Sequence, residues 1–390
     1  MGRLLEAAVN QVLNAQVSAQ RQVAPYERNE RSAQRQGYRN GYKPHQLTTR
    51  VGALTLLVPQ VRDGQFSTEL FARYQRSEQA LVLTLMEMVV NGVSTRKVAR
   101  ITEELCGTSF AKSTVSDLCR ALDPLVTSWN ERDLSSQQVP FVLVDALVVK
   151  VRENGRVRAV SALVATGVNA AGYREVLGLR VGDSESERTW LEFFIWLKGR
   201  GLSGVDLVVS DHHGGLVKAV QVQFQGASWQ RCQTHLSANI ADATPKALQE
   251  EVHARVRPIF DAPDEATART LLASFVADYQ SKAPAAVATL ERGFDDATAV
   301  LALPAPYRKR LRTTNGVERL NEEIRRRERV IRIFPNRESV VRLVGALLME
   351  QDEVWITGKR YFDMTAYWLW RASHPQQALL MEEAPMLQPA

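Results

Sequence analysis

Apolar and polar positions switch between helical and strand periods along the chain, and each switch marks a change of element. Leu4, Leu5, Ala8, Val12 and Leu13 recur near helical spacing and predict a helix over residues 1–18. From Gln20 to Gly52 the sequence is polar and rich in Arg, Gln, Asn and Gly, and the Asn40-Gly41 pair within YRNGY predicts a turn beside Tyr38, Arg39 and Tyr42. Residues 51–61 (VGALTLLVPQV) read as a strand interrupted by Pro59. Three short amphipathic helices are expected next. The first covers 79–90 and ends at Asn91-Gly92; the second covers 95–105, with Ser94 as its cap and Cys106-Gly107 as its end. The third covers 114–122, with Ser113 as its cap and Asp123-Pro124 as its end. Such a trio suits a helix-turn-helix reader of the major groove and suits equally a small bundle without a DNA partner. As a reader it would present Lys112, Thr114, Ser116, Asp117 and Arg120.

The period changes at Pro140. Residues 141–151 (FVLVDALVVKV) read as a strand with Asp145 near its middle. A second strand at 156–168 follows the Glu153-Asn154-Gly155 turn, and a third at 173–181 follows Ala171-Gly172. A helix over 186–200 carries Trp190, Phe193, Phe194 and Leu197 on one face. A strand at 205–210 leads to Asp211, a helix starts near Gly214, a short strand covers 227–231 and a helix starts at Cys232. Three antiparallel strands followed by αβαβα is the element order of an α/β, ribonuclease-H-like fold. Residues 236–305 are Ala-rich and helical, with prolines at 245, 258, 263, 284 and 304 as boundaries, and predict an all-α insertion. Helices over 316–328, with Asn315 as cap, and over 338–354 flank the Phe334-Pro335-Asn336 break; the segment after Pro375 is expected to be poorly ordered. The expected division is a basic arm (1–75), a helix-turn-helix-like domain (76–135), the first part of the core (136–235), the insertion (236–310), the core's completion (311–370) and a tail (371–390).

Composition narrows the class. The 390 residues are 45% hydrophobic and 24% charged, ordinary for a globular protein and unlike a collagen, a coiled coil or a disordered chain. Apolar runs fall far short of the roughly 18–20 residues that span a bilayer. Three cysteines provide no disulfide framework, so a soluble, cytoplasmic protein is expected. The net charge of +6 is unevenly placed: residues 1–50 carry +5 and residues 305–335 carry +6, leaving the rest at −5. Two basic stretches on an acidic body fit contact with a polyanion, although solvated surface helices give the same pattern.

Candidate chemistry centres on acids. An unpaired carboxylate within the apolar FVLVDALVV would cost several kcal/mol, so Asp145 calls for a cation, a metal or a hydrogen-bond network. Asp211 ends the strand VDLVVS, at the strand end where α/β ligand sites form. Glu318 opens the helix of TTNGVERLNEE. Carboxylates of this kind hold Mg²⁺ at phosphoryl-transfer sites, while a lone acid at a strand end is more often a cap or a turn residue. Glu322 and Glu323 are placed to pair with Arg326 and Arg327 along the helix. His212 and His213 follow Asp211 and could serve as ligands, bases or loop residues. In WQRCQTH, Cys232 and His235 offer two zinc donors where a structural site needs four, and Cys106 and Cys119 lie far upstream; Cys232 is expected to be buried and His235 to face the cleft. GxGxxG and P-loop patterns are missing, so no nucleotide cofactor is indicated.

An ordered series of motifs resembles the bacterial insertion-sequence transposases of the IS256 family, related to Mutator-like elements. YRNGY, TRVGALTLLVPQVRDG, FARYQRSEQAL, GVSTRKV and ITEELCGTSFAKSTVS lie in the first half. VDA, EVLGL, DSES, LKGRGL, SDHHGGL, WQRCQTH, TTNGVERLNEEIRRR, IFPN, SVVRLVGALL and GKRYFDM follow. The resemblance implies a DDE transposase in which Asp145, Asp211 and Glu318 bind Mg²⁺ (or Mn²⁺), and the long gap between Asp211 and Glu318 matches the family's helical insertion. It also implies that Cys232 and His235 form the family's C-x2-H signature, which is not a zinc site. Its chemistry would be hydrolytic cleavage of DNA at the element end, then attack of the freed 3′-OH on a phosphodiester. Two positions depart from the family pattern: Val148, where an aromatic is common, and His212, where Ala or Gly is common; His212 could alter the surroundings of Asp211.

The expectation is thus a bacterial transposase acting on double-stranded DNA, as a homodimer, with terminal inverted repeats as its recognition sequence. Arg39, Lys112, Thr114, Ser116 and Arg120 would contact the element end, and Arg325, Arg326, Arg327 and Arg329 the backbone near the acids. The alternatives are a helix-turn-helix regulator without catalysis and a ribonuclease-H-like nuclease without strand transfer.

Overall fold

The computed structural model describes residues 2–21, 39–62, 66–68, 70–71, 77–107 and 110–374. The chain divides into two compact units, Met1–Ala121 and Leu122–Ala390. Tyr38 and the segment after Pro375 lie outside the described residues.

In the first unit, α1 (Gly2–Arg21) packs on a hairpin of β1 (Arg39–Thr49) and β2 (Gly52–Val61) through Leu13, Leu54, Leu56 and Phe71. The expected turn at Asn40-Gly41 is instead a bulge inside β1, where the register shifts between Arg39 and Tyr42 and Gly41 takes φ +77°. The chain reverses at Arg50-Val51, between the paired Thr49 and Gly52. Asn-Gly supplies the left-handed residue that a bulge needs as readily as one for a turn.

The helices α2 (Gln79–Val90), α3 (Thr95–Cys106) and α4 (Lys112–Cys119) share a core of Leu81, Leu85, Val98, Phe110 and Val115. Ser94 caps α3 as expected, accepting from the Lys97 amide at 3.3 Å. Helix α4 starts two residues earlier than expected, with Ala111 at its cap position and Ser113 inside its first turn. Asp123-Pro124 does not end a helix but opens α5 (Asp123–Asn130), where proline's fixed φ and missing N–H suit the first turn.

The second unit is a mixed α/β structure. Its strands β3 (Phe141–Glu153), β4 (Arg156–Val168), β5 (Arg174–Gly182), β6 (Leu207–Ser210) and β7 (Ser228–Arg231) form one sheet in the order β5-β4-β3-β6-β7. The β3–β4 and β4–β5 pairs are antiparallel, while β3–β6 and β6–β7 are parallel. Helices α6 (Glu187–Gly199) and α7 (Gly214–Gln223) pack into a core with Val142, Val144 and Val208. Trp190, Phe193, Phe194 and Leu197 of α6 are fully buried there, each contributing about 1.5–3 kcal/mol. Phe141, Leu143, Val168 and Val209 pack instead against Tyr307 and Leu311 of α12 (Ala305–Leu311), Val317 of α13 (Asn315–Ile331) and Tyr367 of α15 (Thr365–Ser373). Helix α14 (Arg337–Thr357) is capped by Asn336, which accepts from the Ser339 amide at 2.9 Å.

The region expected to be helical holds α8 (Gln233–Asp242), α9 (Gln249–Phe260), α10 (Glu265–Tyr279) and α11 (Pro284–Thr298) around their own core. Pro258 is not a boundary: it lies within the last turn of α9, where burial of Ile259 and Phe260 keeps the chain helical. The buried Gln230 of β7 ties this region to the sheet, donating to the Ala297 carbonyl at 2.8 Å and accepting from the Val300 amide at 2.7 Å. No described helix is long and apolar enough to cross a membrane.

Candidate active site

Four buried residues precede Asp145 in β3. The parallel register pairs Phe141 with Leu207, Val142 with Val208 and Leu143 with Val209. Continued two residues further, it sets Asp145 level with Asp211, just past the end of β6, one strand spacing away. The Asp145 carboxylate is half-buried and held on both oxygens: the Ala146 amide donates to Oδ1 at 2.8 Å, and Asn321 Nδ2 donates to Oδ2 at 2.5 Å. Burial pushes the Asp145 carboxyl up to about 6; the Asp211 charge adds to this, and the Ala146 amide, His235 and Asn321 oppose it.

Glu318 sits in the first turn of α13, whose cap position is Thr314 and not Asn315. Glu318 Oε1 accepts from Thr314 Oγ1 at 2.7 Å and lies 3.9 Å from His235 Nδ1. The Thr314 amide donates to Cys232 Sγ at 3.4 Å, and its hydroxyl oxygen, whose proton is directed to Glu318, lies 3.3 Å from the same sulfur. Cys232 occupies the cap position of α8 and is buried, while His235, in the first turn of that helix, is partly open to solvent. Burial pushes the Cys232 thiol up, but hydrogen bonds from His235 and Thr314 outweigh it and leave the group lowered. His235 is raised to about 9, first by its bond to Cys232 and then, against burial, by the charges of Cys232, Glu318 and Asp211.

Donor atoms of Cys232, His235 and Glu318 lie within 4.8 Å of one another and could hold a metal ion. Asp145, Asp211 and Glu318 do not form so tight a set: the Glu318 carboxylate is turned to Thr314 and His235, and the Asp145 carboxylate to Asn321. Sequence reasoning missed Asn321, although it stands three residues after Glu318 and so near the same helix face. It missed Thr314 as well, whose signal was the TTNG preceding the helix. Glu185, within the DSES motif, is a further acid near Asp211. Its Oε1 accepts from Trp190 Nε1 at 3.3 Å and lies 3.6 Å from His213 Nδ1. Burial raises its carboxyl, His213 lowers it and Asp211 raises it.

The arginines of α13 are largely occupied within the helix. Arg327 is buried against Glu323, Arg326 Nε is 3.1 Å from the same carboxylate, and Arg325 is 3.9 Å from Glu328; Arg329 is exposed. Glu323 thus takes Arg327 as expected and also Arg326, the arginine expected to pair with Glu322. On α4, Lys112 and Thr114 are exposed and Ser116 is half-buried; Arg120, just past its end, is exposed and 3.1 Å from Asp117. Arg39 donates to Asn14 Oδ1 at 3.0 Å and to Ser18 Oγ at 2.7 Å, fastening α1 to the hairpin. His212 is exposed with its ring 5.8 Å from that of Trp229, and its charge offsets the effect of burial on Asp296.

Residues 1–358 match the family model of transposases of the Mutator family, and the chain belongs to that family. It is 45% identical over 361 residues to the transposase for insertion sequence element IS256 in transposon Tn4001 of Staphylococcus aureus, a match spanning 92% of each chain. It is 43% identical over 364 residues to the transposase for insertion sequence element ISRM5 of Rhizobium meliloti, across 93% of this chain and 88% of that protein. With the transposase for IS1081 of Mycobacterium tuberculosis it shares 41% identity over 336 residues, across 86% and 81% of the two chains.

Proposed function

We propose that this chain is a metal-dependent DNA transposase. It would bind the terminal inverted repeats of an insertion sequence, cleave the element end and join the freed 3′-OH to target DNA. The basic arm and the helices α2–α4, read as a helix-turn-helix, would engage the repeats. The β3–β7 sheet with α13, read as a ribonuclease-H-like core interrupted by the helical insertion, would perform the chemistry as part of a homodimer that holds two DNA ends.

The reading is carried by the bond from Asn321 to Asp145, which brings the Glu318 helix against the strand whose acid is level with Asp211. The donor set fits Mg²⁺ or Mn²⁺. Two carboxylates at one level of neighbouring strands repel each other, Asp145 is raised by burial and by the Asp211 charge, and Asn321 Oδ1 is buried without a partner. Asp145, Asp211 and Glu318 would hold the ions, which supply Lewis-acid stabilisation of charge on the phosphate oxygens when bound. Asn321 fixes the Asp145 carboxylate, and Thr314 fixes that of Glu318. His235 is cationic at neutral pH beside Glu318 and limits repulsion among the acids.

The test incubates the protein with a labelled terminal-repeat duplex, a target plasmid and Mg²⁺. Strand-transfer product that disappears in Asp145→Ala and Glu318→Ala, with duplex binding kept, supports the transposase. Binding without cleavage by the unaltered chain favours a regulator, and cleavage without joining favours a nuclease.

A further inference from the structure

The arginines of α13 expected to face DNA are mostly paired with glutamates of their own helix, but a second group of arginines is not. Arg174, the first residue of β5, is half-buried, with its guanidinium 4.2 Å from the Trp355 ring centre and 4.6 Å from that of Tyr361. Arg310 of α12 is exposed and lies over the same Tyr361 ring at 4.6 Å, also donating to the Tyr361 carbonyl. Arg319 of α13 is exposed, and its charge reaches Arg174. Burial holds the Arg174 guanidinium below its usual range; Tyr361 opposes this, and Arg310 and Arg319 add to it. Among the described residues none of the three is in an ion pair with a carboxylate.

Desolvating a cation beside two like charges is unfavourable unless an anion completes the set. The aromatic floor fixes the orientation of the two stacked guanidinium groups, and a guanidinium fork pairs naturally with two phosphate oxygens. The group also borders the helix that carries Glu318: a methyl group on Gly316 would stand 3.9 Å from Arg174 Nη1. Gly316 and Arg319 are three residues apart and share one side of α13, whereas Glu318 is turned away from it by about 100° per residue of separation.

We infer that Arg174, Arg310 and Arg319 form a clamp for the phosphodiester backbone of duplex DNA, distinct from the self-paired arginines further along α13. This rests on the transposase reading, because the occupant is taken to be the DNA on which the acids act. Three cations without acidic partners, two of them stacked on aromatic rings and the third on the helix that carries Glu318, match a polyphosphate strand in charge and in contact chemistry.

The test measures binding of the full chain to a fluorescent duplex by anisotropy as salt is raised from about 50 to 200 mM. Deleting a side chain that neutralises one phosphate should flatten the log–log salt dependence by about 0.9. Arg310→Gln and Arg319→Gln carry the test because both side chains are exposed, and Arg174→Gln is added where its melting temperature matches that of the unaltered chain. Arg255→Gln is the control, since Arg255 is paired with Asp278 in the helical insertion. Flatter slopes for Arg310→Gln and Arg319→Gln with an unchanged control support the clamp. Slopes equal to the unaltered chain, or an equal drop in the control, overturn it. Inorganic phosphate bound at the cluster with unchanged DNA slopes assigns it to a free anion and also overturns it. A chain that binds no DNA at all overturns the clamp and the transposase reading together, whereas unchanged slopes on a chain that still cleaves overturn the clamp alone.

Discussion

Asn321 on α13 donates a 2.5 Å hydrogen bond to Asp145 on β3, joining positions 176 residues apart in sequence. Partners of this kind orient a metal-binding carboxylate, and their loss commonly costs about 10–100-fold in metal affinity or activity. Asn321→Ala should therefore raise the Mg²⁺ concentration needed for half-maximal DNA cleavage by about that factor while leaving duplex binding intact. An unchanged Mg²⁺ requirement in a folded variant would show that Asn321 has no such role.

Thr314 is almost fully buried and serves Glu318 and Cys232 at once. Thr314→Val keeps the shape and deletes the hydroxyl, leaving the Glu318 carboxylate without that donor. We expect a loss of about 1–3 kcal/mol in urea unfolding, largely recovered in Thr314→Ser. Equal stability of the valine and serine variants would sink the idea.

Asp352 of α14 is 3% exposed and collects three donors. The Val176 amide bonds it at 2.7 Å, Trp129 Nε1 at 2.8 Å, and Arg132 Nη2 lies at 3.2 Å. It thereby fastens α14 to β5 and α5. Asp352→Ala leaves Arg132 with Glu175 at 3.9 Å but strands the Val176 amide and the Trp129 indole N–H, and should cost about 1–3 kcal/mol. Chemical denaturation measures this, and a cost below about 1 kcal/mol, the worth of one ordinary hydrogen bond, would contradict it.

Asp206 provides a pH dependence. Burial raises its carboxyl to about 6, with Arg371 at 3.1 Å opposing the shift. Because the folded-state value lies above the ordinary 3.8, folding favours the protonated acid. That contribution is fully present below about pH 4 and is lost as pH rises through about 6. Relative to Asp206→Asn, the unaltered chain should lose about 1–3 kcal/mol between pH 4 and 7. Urea midpoints of both proteins across that range check the sign, and parallel curves would refute it.

The parts legible in sequence were those whose signal is local. FVLVDALVV announces both a strand and an acid that needs company, and Ser94 announces a helix start that the Lys97 amide confirms. β1 escaped because its residues are polar and mostly exposed, and only pairing with β2 makes them a strand. α15 escaped because its nine residues bury only Tyr367, whose place against Phe141 is set by tertiary packing. Asn321 escaped for a related reason. On a helix of Glu and Arg it reads as one more solvated side chain until β3 is laid beside it. Thr314 displaced Asn315 from the cap position of α13, and its hydroxyl turns to Glu318 and Cys232.

The helical insertion sets Asp211 and Glu318 107 positions apart, and this has a consequence for synthesis on the ribosome. On the proposed reading, a nascent chain completed through β7 already carries two of the three metal-holding acids, on strands able to pair, but it has neither Glu318 nor the carboxamide that holds Asp145. A stop between α4 and α13 then yields a fragment that retains the arm and α2–α4 but lacks Glu318 and Asn321 and, on that reading, should not cut DNA.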